Sequence, residues 1–185
     1  MSNNTANITE GQQTRAYAGY YGLWVGLCWI ASFALSILGL SSPLAGNLGL
    51  LLGILSIPLG IKLLRGFGEN IAPLPLGRAW HLSWLMYGAA ALLCTAAQYI
   101  YFAYLDGGLL VRTYTDLLEL PEIQDLMQQA LGPNAQTIAQ EALTAFAATP
   151  PAQLALQFLF WNLILATFVA FPTALFSFTR KKGEN

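Results

Sequence analysis

Residues 16–61 contain no Asp, Glu, Lys or Arg. A soluble chain of this kind would have nothing to hold that stretch in water. A membrane crossing needs about 20 apolar residues, so the stretch is long enough for two. Ser41-Ser42-Pro43 supplies the turn between them. Two more uncharged stretches follow, at 79–105 and 142–179. Pro150-Pro151 confines the membrane part of the last one, since proline suits the first turn of a helix. The expected spans are about 17–40, 44–64, 79–105 and 152–178. One ionised side chain at a helix centre costs about 2.5–3.5 kcal/mol on insertion scales, and all four spans avoid it.

Composition supports the same fold. Charged residues make up 9% of the 185, too few to coat a soluble domain of this size. The predicted class is all-α: an integral membrane four-helix bundle, with short amphipathic helices between the third and fourth spans. The four-span domain covers 16–182, after a polar N-terminal tail at 1–15 and before a short C-terminal end at 183–185. The first apolar run is longer than a signal-peptide core and is read as a retained helix.

Basic residues set the direction. Arg15, Lys62, Arg65, Arg78, Arg180, Lys181 and Lys182 fall on one side of the four spans, and Arg112 alone falls on the other. The positive-inside rule then puts both termini in the cytoplasm. Asp106, Asp116, Glu119, Glu122, Asp125 and Glu141 face outward. Tyr17, Tyr20, Tyr21, Trp80, Trp84, Tyr99, Tyr101 and Tyr104 stand near span ends, where amphipathic rings favour the headgroup level.

The outer segment, 106–151, breaks into three amphipathic pieces. Asp106-Gly107-Gly108 loosens or ends the third helix. Leu110, Tyr114, Leu117 and Leu118 mark the first piece. Pro121 opens a second, with Ile123, Leu126, Met127 and Ala130 on one face, and Gly132-Pro133 stops it. A third follows with Ile138, Ala142 and Phe146. Such faces exist to be buried, either as a cap over the helix ends or as a docking surface.

Small residues recur at helical spacing: Gly22 and Gly26 in the first span, Gly46, Gly49, Gly53, Ser56 and Gly60 in the second, and Gly88 in the third. These positions are expected to let helix backbones pack closely, within one chain or between two. Gln98, Gln157 and Asn162 are the candidates for polar contacts inside the membrane, as an inter-helix hydrogen bond or as the lining of a polar path. Pro58 and Pro172 interrupt the second and fourth spans, and His81 stands at the start of the third.

No catalytic signature is present: HExxH, GxSxG and GxxxxGK[ST] are all missing. Cys28 and Cys94 lie singly in apolar runs, which favours packing over metal or redox chemistry. No catalytic, cofactor or metal site is expected. A net charge of -1 gives no basic footprint for nucleic acid. The expected partners are the lipid bilayer and either a second copy or another membrane protein. The expected role is a non-enzymatic structural or interaction subunit. The alternative is a small transporter or channel subunit with a polar path near Gln98 and Asn162.

Several stretches resemble one family. YYGLWVGLCWI, GIKLLRGFGENIAPLPLGRAWHLSWLMYG, the long outer segment and the basic tail TRKK are similar to short bacterial membrane proteins, mostly of the Bacteroidetes, grouped as domain of unknown function 4199. The resemblance covers 17–182. It implies a four-helix fold and a bacterial inner-membrane location, and no activity.

Overall fold

The computed structural model describes residues 10–179. In chain order they form α1 (Glu10–Leu38), α2 (Pro43–Asn70), α3 (Leu76–Ile100), a five-residue π-helical turn (Tyr101–Leu105), α4 (Leu109–Leu118), α5 (Pro121–Leu131), α6 (Ala135–Ala148) and α7 (Pro151–Ser177). No strand occurs among the described residues, and the fold is all-α. Four segments are long and apolar enough to cross a membrane: Gly11–Leu38, Pro43–Asn70, Leu76–Leu105 and Pro151–Ser177. This is the layout of a multi-pass membrane protein.

Helices outrun the apolar stretches that define the spans. Thr14 on α1 and Leu64 and Phe67 on α2 are buried, and this packing holds helix beyond the uncharged runs. Asn70 ends α2 three residues before Pro73, and proline disfavours helix in the residue ahead of it. Pro43 opens α2 and Pro151 opens α7, each at a position whose N–H has no helical partner anyway. Pro58 and Pro172 lie inside α2 and α7, and both helices continue through them.

The chain divides into two compact units, one of residues 10–97 with 158–179 and the other Gln98–Gln157. In the first unit all four long helices share a core: Val25 and Trp29 from α1, Leu64 and Phe67 from α2, Met86 and Tyr87 from α3, and Ala166, Ala170 and Ala174 from α7. Large apolar side chains cover its outside as well as its inside. Leu50, Leu55, Leu92, Phe160 and Phe168 are exposed. No Asp, Glu, Lys or Arg is fully buried among the described residues. A soluble protein rarely exposes so many large apolar side chains; lipid is the solvent that permits it.

One end of this unit is tied by polar contacts. Leu74 N–H donates to Thr179 Oγ1 at 3.1 Å, and Thr179 N–H donates back to the Leu74 carbonyl at 2.9 Å. Arg65 Nε donates to the Phe176 carbonyl at 2.9 Å. Arg78 Nε donates to Thr14 Oγ1 at 3.2 Å, and its guanidinium lies 5.3 Å from the Phe67 ring centre.

In the second unit, α3 ends in the π-helical turn, where Asp106 N–H reaches back five residues to the Tyr101 carbonyl at 2.9 Å. Gly107 and Gly108 follow with φ of +52° and +79°, a backbone that L side chains rarely adopt. They reverse the chain into α4. The Gln124 side chain donates to the Leu118 carbonyl at 3.0 Å and ties α5 to the end of α4. Phe102 and Phe146 meet edge to face at 6.0 Å.

Candidate functional site

The interior of the first unit holds a continuous polar seam. Trp29 Nε1 donates to Ser56 Oγ at 3.0 Å, joining α1 to α2. Ser56 Oγ donates to the Gly53 carbonyl at 2.6 Å. The Tyr87 hydroxyl lies 3.4 Å from the Ser56 carbonyl and 3.0 Å from Thr173 Oγ1, joining α2, α3 and α7. Ser83 Oγ donates to the Ala170 carbonyl at 3.0 Å, and Ser177 Oγ to the Thr173 carbonyl at 2.6 Å. Among the described residues no buried side-chain polar atom lacks a hydrogen-bond partner. The seam consists of hydroxyls, an indole and backbone carbonyls, and it ties the helices in register. Such bonds average about 0.6 kcal/mol in membrane proteins.

Sequence reasoning noticed Ser56 only as a small residue and missed its partners. Their signal is faint: Ser83 with Tyr87, and Thr173 with Ser177, are pairs four apart in apolar helices. Each pair shares one helix face.

The glycines divide by environment. A Cβ at Gly22 would meet Ala89 Cβ at 2.7 Å and the Met86 carbonyl at 2.8 Å, and one at Gly26 would meet Leu93 at 3.0 Å, so both sit hard against α3. A Cβ at Gly49 would lie 2.9 Å from the Ser32 carbonyl, one at Gly53 would lie 3.2 Å from Ser32 Oγ, and Gly46 faces Gly39 across the α1–α2 turn. A Cβ at Gly60 would strike the Tyr87 hydroxyl. Gly88 packs against no other helix of its own chain: a Cβ there meets nothing within 4 Å. The α3 residues set against α1 are Met86, Ala89, Ala90 and Leu93, and at about 100° per residue Gly88 lies off that side.

The amides also divide. Asn162 Nδ2 donates to Thr95 Oγ1 at 3.4 Å. Gln98 is buried in its own unit, and Gln157 is exposed on α7. His81, Arg15, Lys62 and Arg65 are exposed, and Arg78 is half-buried. Arg180, Lys181 and Lys182 lie outside the described residues. Cys28 and Cys94 are free thiols. No cluster of three His, Cys, Asp or Glu suited to a metal occurs among the described residues.

The second unit carries a cavity of about 440 Å³. Phe102, Val111, Phe146 and Leu154 give it apolar walls, and Asp106 and Arg112 line it as well. Asp106 Oδ1 accepts from the Tyr101 hydroxyl at 3.0 Å and Leu110 N–H at 3.3 Å, and Oδ2 accepts Gly108 N–H at 3.0 Å. The carboxylate thus caps the turn into α4. Arg112 Nη2 donates to the Gly107 carbonyl at 3.2 Å. Sequence reasoning used Asp106 as a turn signal and Arg112 as a lone outward cation; nothing local announces that they share a pocket.

The three short helices leave apolar side chains uncovered. Tyr114 on α4, Leu126 and Leu131 on α5 and Ile138 on α6 are 46%, 61%, 75% and 63% exposed. Ala135 is the only fully buried residue within α4, α5 and α6. At 10, 11 and 14 residues these helices are too short to cross a bilayer.

A family model described as a protein of unknown function, DUF4199, matches residues 20–178. No curated protein and no solved structure matches the chain.

Proposed function

Because the chain belongs to the DUF4199 family of proteins of unknown function, we propose a role from its surfaces: a non-enzymatic structural or interaction subunit of the bacterial inner membrane. The observation that carries this reading is the exposed apolar side of α4, α5 and α6. Tyr114, Leu126, Leu131 and Ile138 need a cover that their own unit does not supply. A second membrane protein, or a second copy of this chain, supplies it at the membrane surface.

Both termini are cytoplasmic in this reading, and 106–151 faces outward. Support comes from the basic end of the bundle, where Arg65 bonds the end of α7 and Arg78 bonds Thr14 near the start of α1, with Lys62 three residues from Arg65 and Arg15 next to Thr14 in sequence. Clustered Lys and Arg favour the cytoplasmic side.

Photocrosslinking groups at Leu126 and Ile138, activated in native membranes, test the role. The expected result is a defined protein–protein product from both positions. A chain that stays monomeric and crosslinks only to lipid would sink the proposal.

The alternative, a small transporter or channel subunit, has the Asn162–Thr95 pair behind it. A flux assay in liposomes separates the two readings. Permeation lost in Gln98→Leu and Asn162→Leu would favour the alternative.

A further inference from the structure

The cavity in the Gln98–Gln157 unit combines opposite charges with apolar walls. Asp106 and Arg112 both line it, yet each bonds to its own surroundings and not to the other. Both retain bonding capacity. A guanidinium has five donors, and Arg112 gives one to the Gly107 carbonyl. A carboxylate oxygen can accept two bonds, and Asp106 Oδ2 accepts one, from Gly108 N–H. Two unspent charges of opposite sign on one pocket fit a ligand that carries both.

Location narrows the ligand. The pocket is built from residues at the end of one span, which closes at Leu105, and the start of another, which opens at Pro151. Span ends lie at the headgroup level. The cavity of about 440 Å³ is within the range of small-molecule sites.

We infer that this pocket binds the headgroup of a zwitterionic phospholipid bearing a primary amine, of the phosphoethanolamine type. The phosphate takes the open donors of Arg112. The ammonium faces Asp106 Oδ2. The glycerol and first methylenes lie against Phe102, Val111, Phe146 and Leu154. A purely anionic headgroup satisfies Arg112 but leaves its charge beside Asp106. A choline headgroup has the right charges but no N–H to donate. The inference needs no protein partner and holds for either orientation in the membrane, so its failure is distinct from failure of the subunit role.

The test uses the full-length protein, purified in detergent and stripped of lipid. Native mass spectrometry follows retention of phosphatidylethanolamine, phosphatidylglycerol and phosphatidylcholine with matched acyl chains. The expected result is about tenfold stronger retention of phosphatidylethanolamine, in keeping with one charge-assisted hydrogen bond gained. Arg112→Gln should weaken phosphatidylethanolamine about tenfold. Asp106→Asn should erase the preference over phosphatidylglycerol. Should Asp106→Asn disturb the turn it caps, seen as a lowered melting temperature, Arg112→Gln carries the test alone, since its side chain is exposed. Equal retention of the three lipids, or retention indifferent to Arg112→Gln, would overturn the inference. Soluble glycerophosphoethanolamine competing as strongly as the intact lipid would also overturn it, by assigning the pocket to a free metabolite.

Discussion

Tyr87 is the residue through which the bundle's polar seam joins three helices. Its hydroxyl reaches both Ser56 on α2 and Thr173 on α7, and it needs the space that Gly60 leaves empty. Tyr87→Phe removes the hydroxyl and keeps the ring, so the expected cost is about 0.5–1.5 kcal/mol in unfolding with SDS in mixed micelles. Gly60→Ala should cost about 1–3 kcal/mol by overpacking against that hydroxyl. In the Tyr87→Phe background the same substitution should cost measurably less, because the atom it strikes is gone. Strict additivity in this double-mutant cycle would show that Gly60 does not act through Tyr87. The glycines of the α1–α2 contact give a second comparison. Gly49→Val drives a side chain onto the Ser32 backbone and should cost about 1–3 kcal/mol, whereas Gly88→Ala enters open space and should be neutral or slightly stabilising. The same unfolding assay checks both.

At the scale of elements, breaks between helices are written in local chemistry. Pro43, Pro121, Gly132-Pro133 and Pro151 each forbid or permit helix on their own account, so the starts and stops near them were legible in the sequence. The π-helical turn at Tyr101–Leu105 was not, because YFAYL has no residue that demands it; it depends on where Asp106 bonds. The seam was illegible for a related reason. A serine in an apolar helix bonds its own backbone or a neighbouring helix, and only the packing decides which. Gln98 and Gln157 show the limit plainly: both are amides in apolar surroundings, yet one is buried and the other exposed. The short helices invite a direct test. Leu126→Asp with Ile138→Asp places charge on the exposed apolar side without touching the four-span core. Crosslinking from α4 should be lost, while the unfolding profile of the bundle stays as in the wild type. Undiminished crosslinking would mean that this side is not the contact.

For the whole molecule, the proposed orientation rests on the distribution of charge. In sequence, seven of the eight basic residues lie near the start of the first span, around the link between the second and third, or after the fourth. Replacing Lys62, Arg65 and Arg78 with Gln, and adding two Lys between residues 116 and 125, should yield a mixture of orientations by accessibility labelling. A single unchanged orientation would show that something other than these cations sets it. The closed seam has a consequence for the membrane as well. Every buried side-chain polar atom among the described residues already has a partner, so no file of dangling hydroxyls waits to strip water from an ion. On the structural-subunit reading proposed above, the bundle should not conduct. Planar bilayers loaded with it should keep the resistance of bare lipid at any voltage, with no current steps.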